Sequence, residues 1–375
     1  MLEKLFKLRE NGTDVKTEII AGITTFMTMA YILIVNPDIL SATGMDRAAL
    51  FTATALSAAI ATILMAFLAN YPVALASGMG LNAYFAYVVV GKMGYSWQIA
   101  LTAIFIEGII FVILTLFRFR EAIINSIPAN LKYGITVGIG LFITFIGFQN
   151  ADIIVSNDAT LVSLGNLKSI TVILTIIGVL ITTLFVHKKV KGALLWGILT
   201  TYVLGIICQL TGLYVVDEAV GRFNLIPKEL IKLPPSVAPI FCQFDFKGAF
   251  ALGFNFLVVM FAFLFVDLFD TVGTLIGVAS KANLLDEEGK LPKAKEALMA
   301  DALGTVAGAA LGTSTVTSYV ESAAGVAEGG RTGLTALTTA ALMIISLLFS
   351  PVLTIIPSFA TAPALILVGL FMVSA

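Results

Sequence analysis

FAFLFVDLFDTVGTLIGVASK, residues 261–281, decides how this chain is read. Crossing a bilayer takes about 20 mostly apolar residues, and this run meets that while carrying Asp267 and Asp270 deep inside it. A spacing of three sets both carboxylates on one helical face, and Thr271 and Thr274 extend the polar stripe. Gly273 and Gly277 leave room for another helix to approach. Charge at bilayer depth is costly and by default marks a path for substrate or ions. The rest of the chain is expected to give this helix something to bind.

Composition agrees. The 375 residues are 59% hydrophobic and 12% charged, where soluble domains carry roughly 25% charged residues. The fold class expected is an all-α polytopic membrane protein, with the lipid bilayer as its solvent. A net charge of −1 says nothing about nucleic acid, and no basic cluster suggests it, so nucleic acid is not expected as a partner. Residues 1–18 hold Lys4, Lys7, Arg9 and Lys16 without a cleavage-type apolar core, so a cleavable signal peptide is not expected. Cys208 and Cys242 lie far apart and suggest neither a disulfide framework nor a metal site.

About twelve spans follow from length and hydropathy: near 19–36, 48–69, 72–90, 97–117, 130–148, 169–186, 192–211, 248–276, 296–312, 313–327, 332–349 and 352–375. Placing the N-terminus in the cytoplasm puts most short-loop lysines and arginines inside, among them Lys188, Lys189, Lys191, Lys290, Lys293 and Lys295. The loop 212–247, with Pro227, Pro234, Pro235 and Pro239, separates seven spans from the remainder. An odd number of spans per half inverts the second half relative to the first, as in many secondary transporters. The run 364–375, ALILVGLFMVSA, stops without a polar tail, so on a seven-plus-seven plan about two further spans are expected beyond it.

Two spans are short or interrupted. ALASGMGLNAYFAY (74–87) sets Gly78 and Gly80 at mid-membrane, and GTSTVTSYVESAAG (312–325) sets a Thr/Ser run before Glu321. Irregular backbone at that depth is tolerated only where it is buried or lines a cavity, and paired interruptions in the two halves point to a midplane binding site. Asn82 offers a donor and an acceptor, ionised Glu321 offers acceptors, and no Arg or Lys lies in either segment. Such a set suits a planar heterocycle with amide-like edges better than an anion.

Plainer readings stand beside these. Gly304, Gly308, Gly312, Gly134 and Gly138 read as helix packing. Asn82 also fits an interhelical hydrogen bond, Glu107 a structural one, and His187, beside Lys188 and Lys189, the membrane interface.

TTFMTMAYILIVNP (24–37), SGMGLNAYFAY (77–87), FVDLFDTVGT (265–274), TSTVTSYVESAAGV (313–326) and GRTGLTAL (330–337) together resemble the AzgA-like purine permeases. These are the hypoxanthine/guanine/adenine branch of the nucleobase:cation symporter, or nucleobase–ascorbate transporter, superfamily. The resemblance implies fourteen spans in two inverted sevens, with core and gate domains and short strands in spans three and ten. It divides this chain into a cytoplasmic N-terminus (1–18), first-repeat core (19–129) and first-repeat gate (130–211). An extracellular loop (212–247), second-repeat core (248–349) and incomplete second-repeat gate (350–375) follow. It places substrate binding on Asn82, Asp267, Asp270 and Glu321, with the strand segments around Gly80 and Ser318. The uracil and xanthine branches carry a Glu and a His four apart in span eight, where this chain has Asp270 and Thr274.

The function expected is import of guanine, hypoxanthine and adenine through the cell membrane by proton symport and alternating access, without a cofactor and without enzymatic chemistry. Asp267, Asp270 and Glu321 are the candidate proton carriers: neutralising one removes repulsion from the others and couples proton to substrate. Protons are preferred to sodium, and a homodimer is the assembly expected by analogy. The alternatives are uracil or xanthine, or a small anion on the same fold; the anion reading predicts a basic residue where Glu321 stands. A membrane enzyme would need a nucleophile, metal ligands or a cofactor motif, and a sensor would bind purine without turnover.

Overall fold

The computed structural model describes residues 2–117, 129–158, 160–217, 222–282, 284–286 and 291–373. The chain opens with α1 (Leu2–Phe6), α2 (Val15–Met29), α3 (Ile32–Ser41) and α4 (Arg47–Leu68). Next come β1 (Leu75–Ser77), α5 (Met79–Ala83) running on as a π-helical segment over Tyr84–Lys92, and α6 (Trp97–Leu116). α7 (Ala129–Asn150), the hairpin β2 (Ile154–Asn157) and β3 (Leu161–Leu164), α8 (Ile170–His187) and α9 (Ala193–Leu210) complete the first half. The second half holds α10 (Phe246–Ala251), α11 (Phe254–Lys281), α12 (Ala294–Leu311), β4 (Val316–Ser318), α13 (Ser322–Ala327) and α14 (Gly333–Ser346). A 3₁₀ turn, α15 (Ser350–Leu353) and α16 (Ser358–Val373) follow. Among the described residues, seven helical stretches are long and apolar enough to cross a membrane.

The boundaries have local causes. Asp46 caps α4 by accepting from the Ala49 N–H at 2.7 Å, and Ser96 caps α6 through Ile99. Two spans differ from their expected outlines. The first, expected as one helix over 19–36, breaks between α2 and α3. There Ala30 O and Tyr31 O accept from the N–H groups of Leu33 and Ile34, three residues on, the tighter 3₁₀ pattern that marks mid-helix hinges. Pro37 then removes a donor from α3. The eighth, expected from 248, splits into α10 and α11 because Gly253 takes φ +54, outside the helical basin.

The chain forms two compact units: Met1–Lys132 with Pro234–Leu347, and Tyr133–Leu233 with Leu348–Ala375. In the first, α4 packs on α12 and α14, and α2 packs on α13 and α14. The contacts are close because the facing residues are small. A side chain at Gly304 would meet the Ala61 methyl, and one at Gly333 the Ala66 backbone. In the second unit α8 packs on α9 and α16. Thr182 and Thr201 there return their hydroxyls to their own helices at Gly178 O and Gly197 O.

Candidate functional site

β1 and β4 join the two interrupted spans. They pair antiparallel, Leu75 with Ser318, Ala76 with Thr317 and Ser77 with Val316. The ladder extends outward through Gly78 N–H to Thr315 O and Tyr319 N–H to Ala74 O, both 3.0 Å. A two-stranded sheet has two open edges, and in lipid an open edge is not tolerated. Each is closed by a threonine from the preceding helix. Thr62 on α4 accepts from Leu75 N–H at 2.9 Å and donates to Leu75 O at 3.1 Å. Thr305 on α12 does the same with Val316, at 3.2 and 3.0 Å. Leu75 and Val316 are the first residues of their strands, so the arrangement repeats across the central Ala76–Thr317 pair.

Around this crossing the expected residues separate into three neighbourhoods, all within the first compact unit. Asp270 and Glu321 fall in the first. Asp270, half-buried on α11, interacts with Thr317, Asp301 and Glu321. Glu321 is the N-cap residue of α13 and accepts from the Tyr31 hydroxyl at 2.6 Å. Tyr319, whose hydroxyl donates to Ser77 O, lies within electrostatic range of both carboxylates. The set presents carboxylate and hydroxyl oxygens, and among the described residues no metal-holding group of His, Cys, Asp and Glu occurs.

Asp267 belongs to the second. Although it shares a helical face with Asp270, it is fully buried, and its hydroxyl partner, Thr271, lies one turn further along its own helix. Thr271 Oγ1 stands 3.2 Å from Asp267 Oδ1 and 2.7 Å from Asp301 Oδ1, so one hydroxyl links two buried carboxylates.

Asn82 lies in the third. It is fully buried on α5, donates to Asn36 Oδ1 at 2.6 Å and accepts from the Ser314 hydroxyl. Asn36 in turn donates to Thr54 at 2.7 Å and Thr313 at 3.0 Å, and Thr313 shares a 2.8 Å bond with Ser77. This polar string ties α3, α4 and α5 to the segment leading into β4. Gly80 is half-buried in the first turn of α5. Ser318, 3% exposed, ends β4, and its hydroxyl has no hydrogen-bond partner among the described residues.

Tyr31, Asn36, Asp301 and Thr317 carry this geometry without having been singled out in the sequence. Asp301 had a legible signal: it lies four residues before Thr305, on the face that also holds Gly304 and Gly308. Glu107, read as structural, is fully buried on α6 and accepts from Thr315 at 3.4 Å. His187 ends α8 and is exposed.

Comparison with known proteins now adds to the geometry. The Xan_ur_permease model, described as a permease family, matches residues 16–375. A putative permease, MJ0326 of Methanocaldococcus jannaschii, is 51% identical over 371 residues, covering 99% of this chain and 82% of the relative. Adenine permease AdeP of Escherichia coli is 47% identical over 374 residues, covering 100% and 80%. Guanine/hypoxanthine permease PbuG of Bacillus subtilis is 47% identical over 382 residues, covering 100% and 84%. Among solved structures, the transmembrane domain of the cyanobacterial bicarbonate transporter BicA superposes with TM-score 0.70 at 18% identity, covering 96% of this chain and 88% of that one. Murine Slc26a9, an anion transporter in its inward-facing state, superposes with TM-score 0.61 at 11% identity, covering 96% and 60%. At these identities the likeness is one of fold, two inverted seven-span repeats.

Proposed function

This chain belongs to the Xan_ur_permease family, and from that premise we propose that it imports purine nucleobases by proton symport and alternating access. It is a multi-pass membrane transporter and not an enzyme; the substrate, coupling ion and site residues are the proposal. Guanine, hypoxanthine and adenine are the substrates favoured, supported by the similarity to the adenine permease AdeP and the guanine/hypoxanthine permease PbuG. The N-terminus is cytoplasmic and the membrane is the cell membrane.

The observation that carries the reading is the pairing of Asp270 with Thr317 on β4, within electrostatic range of Glu321 beside the β1–β4 crossing. Ionised carboxylates only accept hydrogen bonds, which matches the N1–H of hypoxanthine and the N1–H and 2-amino group of guanine. Adenine needs a donor at its N1, which a protonated carboxyl supplies. In this proposal Glu321 and Asp270 accept from the purine, and the Gly80 and Ser318 segments meet its remaining edge. Asn82, whose amide engages Asn36 and Ser314, acts by holding the α5 segment in place. Asp267, joined to Asp301 through Thr271, belongs with Asp270 and Glu321 to the set that takes up and releases the coupled proton. Interacting carboxylates titrate as a group, so the proton is assigned to the set. The same fold serves anion transporters, but here an acidic residue, Glu321, stands at the N-terminal end of α13.

The test is uptake of radiolabelled hypoxanthine, guanine, adenine, uracil and xanthine into proteoliposomes, with and without an inward proton gradient, for wild type and Glu321→Gln. Gradient-driven purine uptake that the variant lacks is the expected result. Uptake of uracil or xanthine alone overturns the substrate, indifference to the gradient overturns proton coupling, and anion flux without nucleobase uptake overturns both.

A further inference from the structure

We infer that Tyr31 is a positioning and specificity-determining residue of this site: its hydroxyl holds one oxygen of Glu321 and leaves the other to the substrate. The inference rests on the purine reading above and assigns a role to a residue on span one, the span whose break the substrate reading does not use.

Tyr31 stands at the break between α2 and α3, 1% exposed. Its hydroxyl donates to Glu321 Oε1 at 2.6 Å across 290 residues of sequence, a short bond of the charge-assisted kind. A buried tyrosine needs some partner for its hydroxyl, and a backbone carbonyl would serve; Tyr202, for one, uses Leu225 O. Tyr31 instead takes the carboxylate of Glu321, which stands at the N-cap position of α13 without making a side-chain capping bond. The same stretch of span one also reaches the Glu321 backbone, through Thr28 Oγ1 to Glu321 O at 3.3 Å. Below it, α13 lies so close to α2 that a side chain at Gly325 would come within 2.6 Å of Ala21 O. Span one therefore fixes Glu321 at its carboxylate, its carbonyl and its helix.

The Glu321 carboxylate also takes its own backbone N–H, and the lone pairs left by this N–H and the Tyr31 hydroxyl are the acceptor open to a ligand. That suits a ligand edge with one N–H, as in hypoxanthine. Guanine, with N1–H and a 2-amino group side by side, gains from having both oxygens open to a fork. Asp270 and Tyr319 are the further polar groups beside Tyr31, and neither replaces the lost O–H: the first is an acceptor and the second donates to Ser77 O.

The experiment compares wild type with Tyr31→Phe in proteoliposomes, measuring KM and Vmax for hypoxanthine and guanine, with the thermal midpoint of each purified protein. Phenylalanine fills the same space and removes only the hydroxyl. The expected result is a hypoxanthine KM raised about threefold to tenfold, a smaller rise for guanine, Vmax per folded protein within about a factor of two, and a midpoint lowered but still a single cooperative transition. Tyr31→His, which returns an N–H donor, brings the hypoxanthine KM back toward wild type and provides a second arm if Tyr31→Phe is poorly folded. Unchanged KM values, an equal rise for both purines, or a loss confined to Vmax overturns the inference while leaving the purine reading intact. A wild type that takes up neither purine overturns that reading and this inference with it.

Discussion

Thr62 and Leu75 satisfy each other completely: one threonine hydroxyl both receives the strand's N–H at 2.9 Å and returns its proton to the same residue's carbonyl at 3.1 Å. Thr305 and Val316 repeat the relationship in the second half. A bilayer offers no water to the outer edges of β1 and β4, so without these hydroxyls two backbone groups per strand stay orphaned at a cost of about 1–3 kcal/mol each. Thr62→Val and Thr305→Val keep shape and lose the hydroxyl. Each is expected to lower the thermal midpoint clearly and to reduce uptake, whereas serine at either position stays near wild type. A valine variant as stable as wild type would contradict the role.

Glu18 holds the start of α14. Buried completely on α2, it accepts from the N–H groups of Arg331 (2.8 Å), Thr332 (3.3 Å) and Thr335 (3.0 Å) and from the Thr335 hydroxyl (2.6 Å). The arrangement is a helix N-cap supplied from another span, with negative charge at the positive helix end. Glu18→Ala strands several buried donors and is expected to cost about 3–5 kcal/mol. Glu18→Gln, which keeps one acceptor oxygen, falls between it and wild type. Thermal unfolding in detergent reads the order of the three.

Thr271 is expected to tolerate serine and not valine. Its hydroxyl bonds to Asp301 at 2.7 Å and reaches Asp267 at 3.2 Å, and a hydrogen bond to a buried charged group is worth about 1.5–3 kcal/mol. Thr271→Val leaves two fully buried carboxylates without the hydroxyl between them. If these carboxylates belong to the coupled set, the variant loses gradient-driven uptake more than it loses purine binding at equilibrium. Equal losses in both would assign Thr271 to stability alone.

Asn36 and Asn82 are expected to behave as one unit. Asn36→Ala removes the acceptor for Asn82 and the donor to Thr54 and Thr313. Transport by Asn36→Ala and Asn82→Ala should fall to a similar extent, with the double variant little worse than either, as for residues in one network. Asn82→Asp sets an acceptor against the Asn36 oxygen and should be poorer than alanine. Full additivity of the two alanine variants would mean that Asn82 acts on substrate independently of Asn36.

Chain-local chemistry carried the sequence far. The cost of charge in lipid picked out Asp267, Asp270 and Glu321, and the interrupted apolar runs at Gly78–Gly80 and Thr313–Ser318 lie just after β1 and across β4, strands that the family resemblance implied near Gly80 and Ser318. Those signals depend on what lies within one span, so hydropathy and helical spacing read them directly. Tyr31, Asn36 and Glu18 gave no such signal. Tyrosine and asparagine are ordinary near helix breaks, and Glu18 sits where a membrane-entry carboxylate attracts no notice. Asp301 carried a spacing signal with Gly304, Thr305 and Gly308, but its closeness to the charged stretch Lys293–Glu296 masks it.

Sequence alone determined a polytopic helical chain, its paired interruptions and its intramembrane carboxylates, because the bilayer penalises polar groups residue by residue. Tertiary structure decided which groups those carboxylates face. On one helix face it gives Asp267 to Thr271 and Asp270 to Thr317 and Glu321, while Asp301 bonds Thr271 and also lies within electrostatic range of Asp270. It also brings Tyr31 to Glu321 and Glu18 to Thr335 across 290 and 317 residues. A hydrogen bond needs two atoms within about 3 Å, and which distant residues meet at that distance is fixed only when the helices pack.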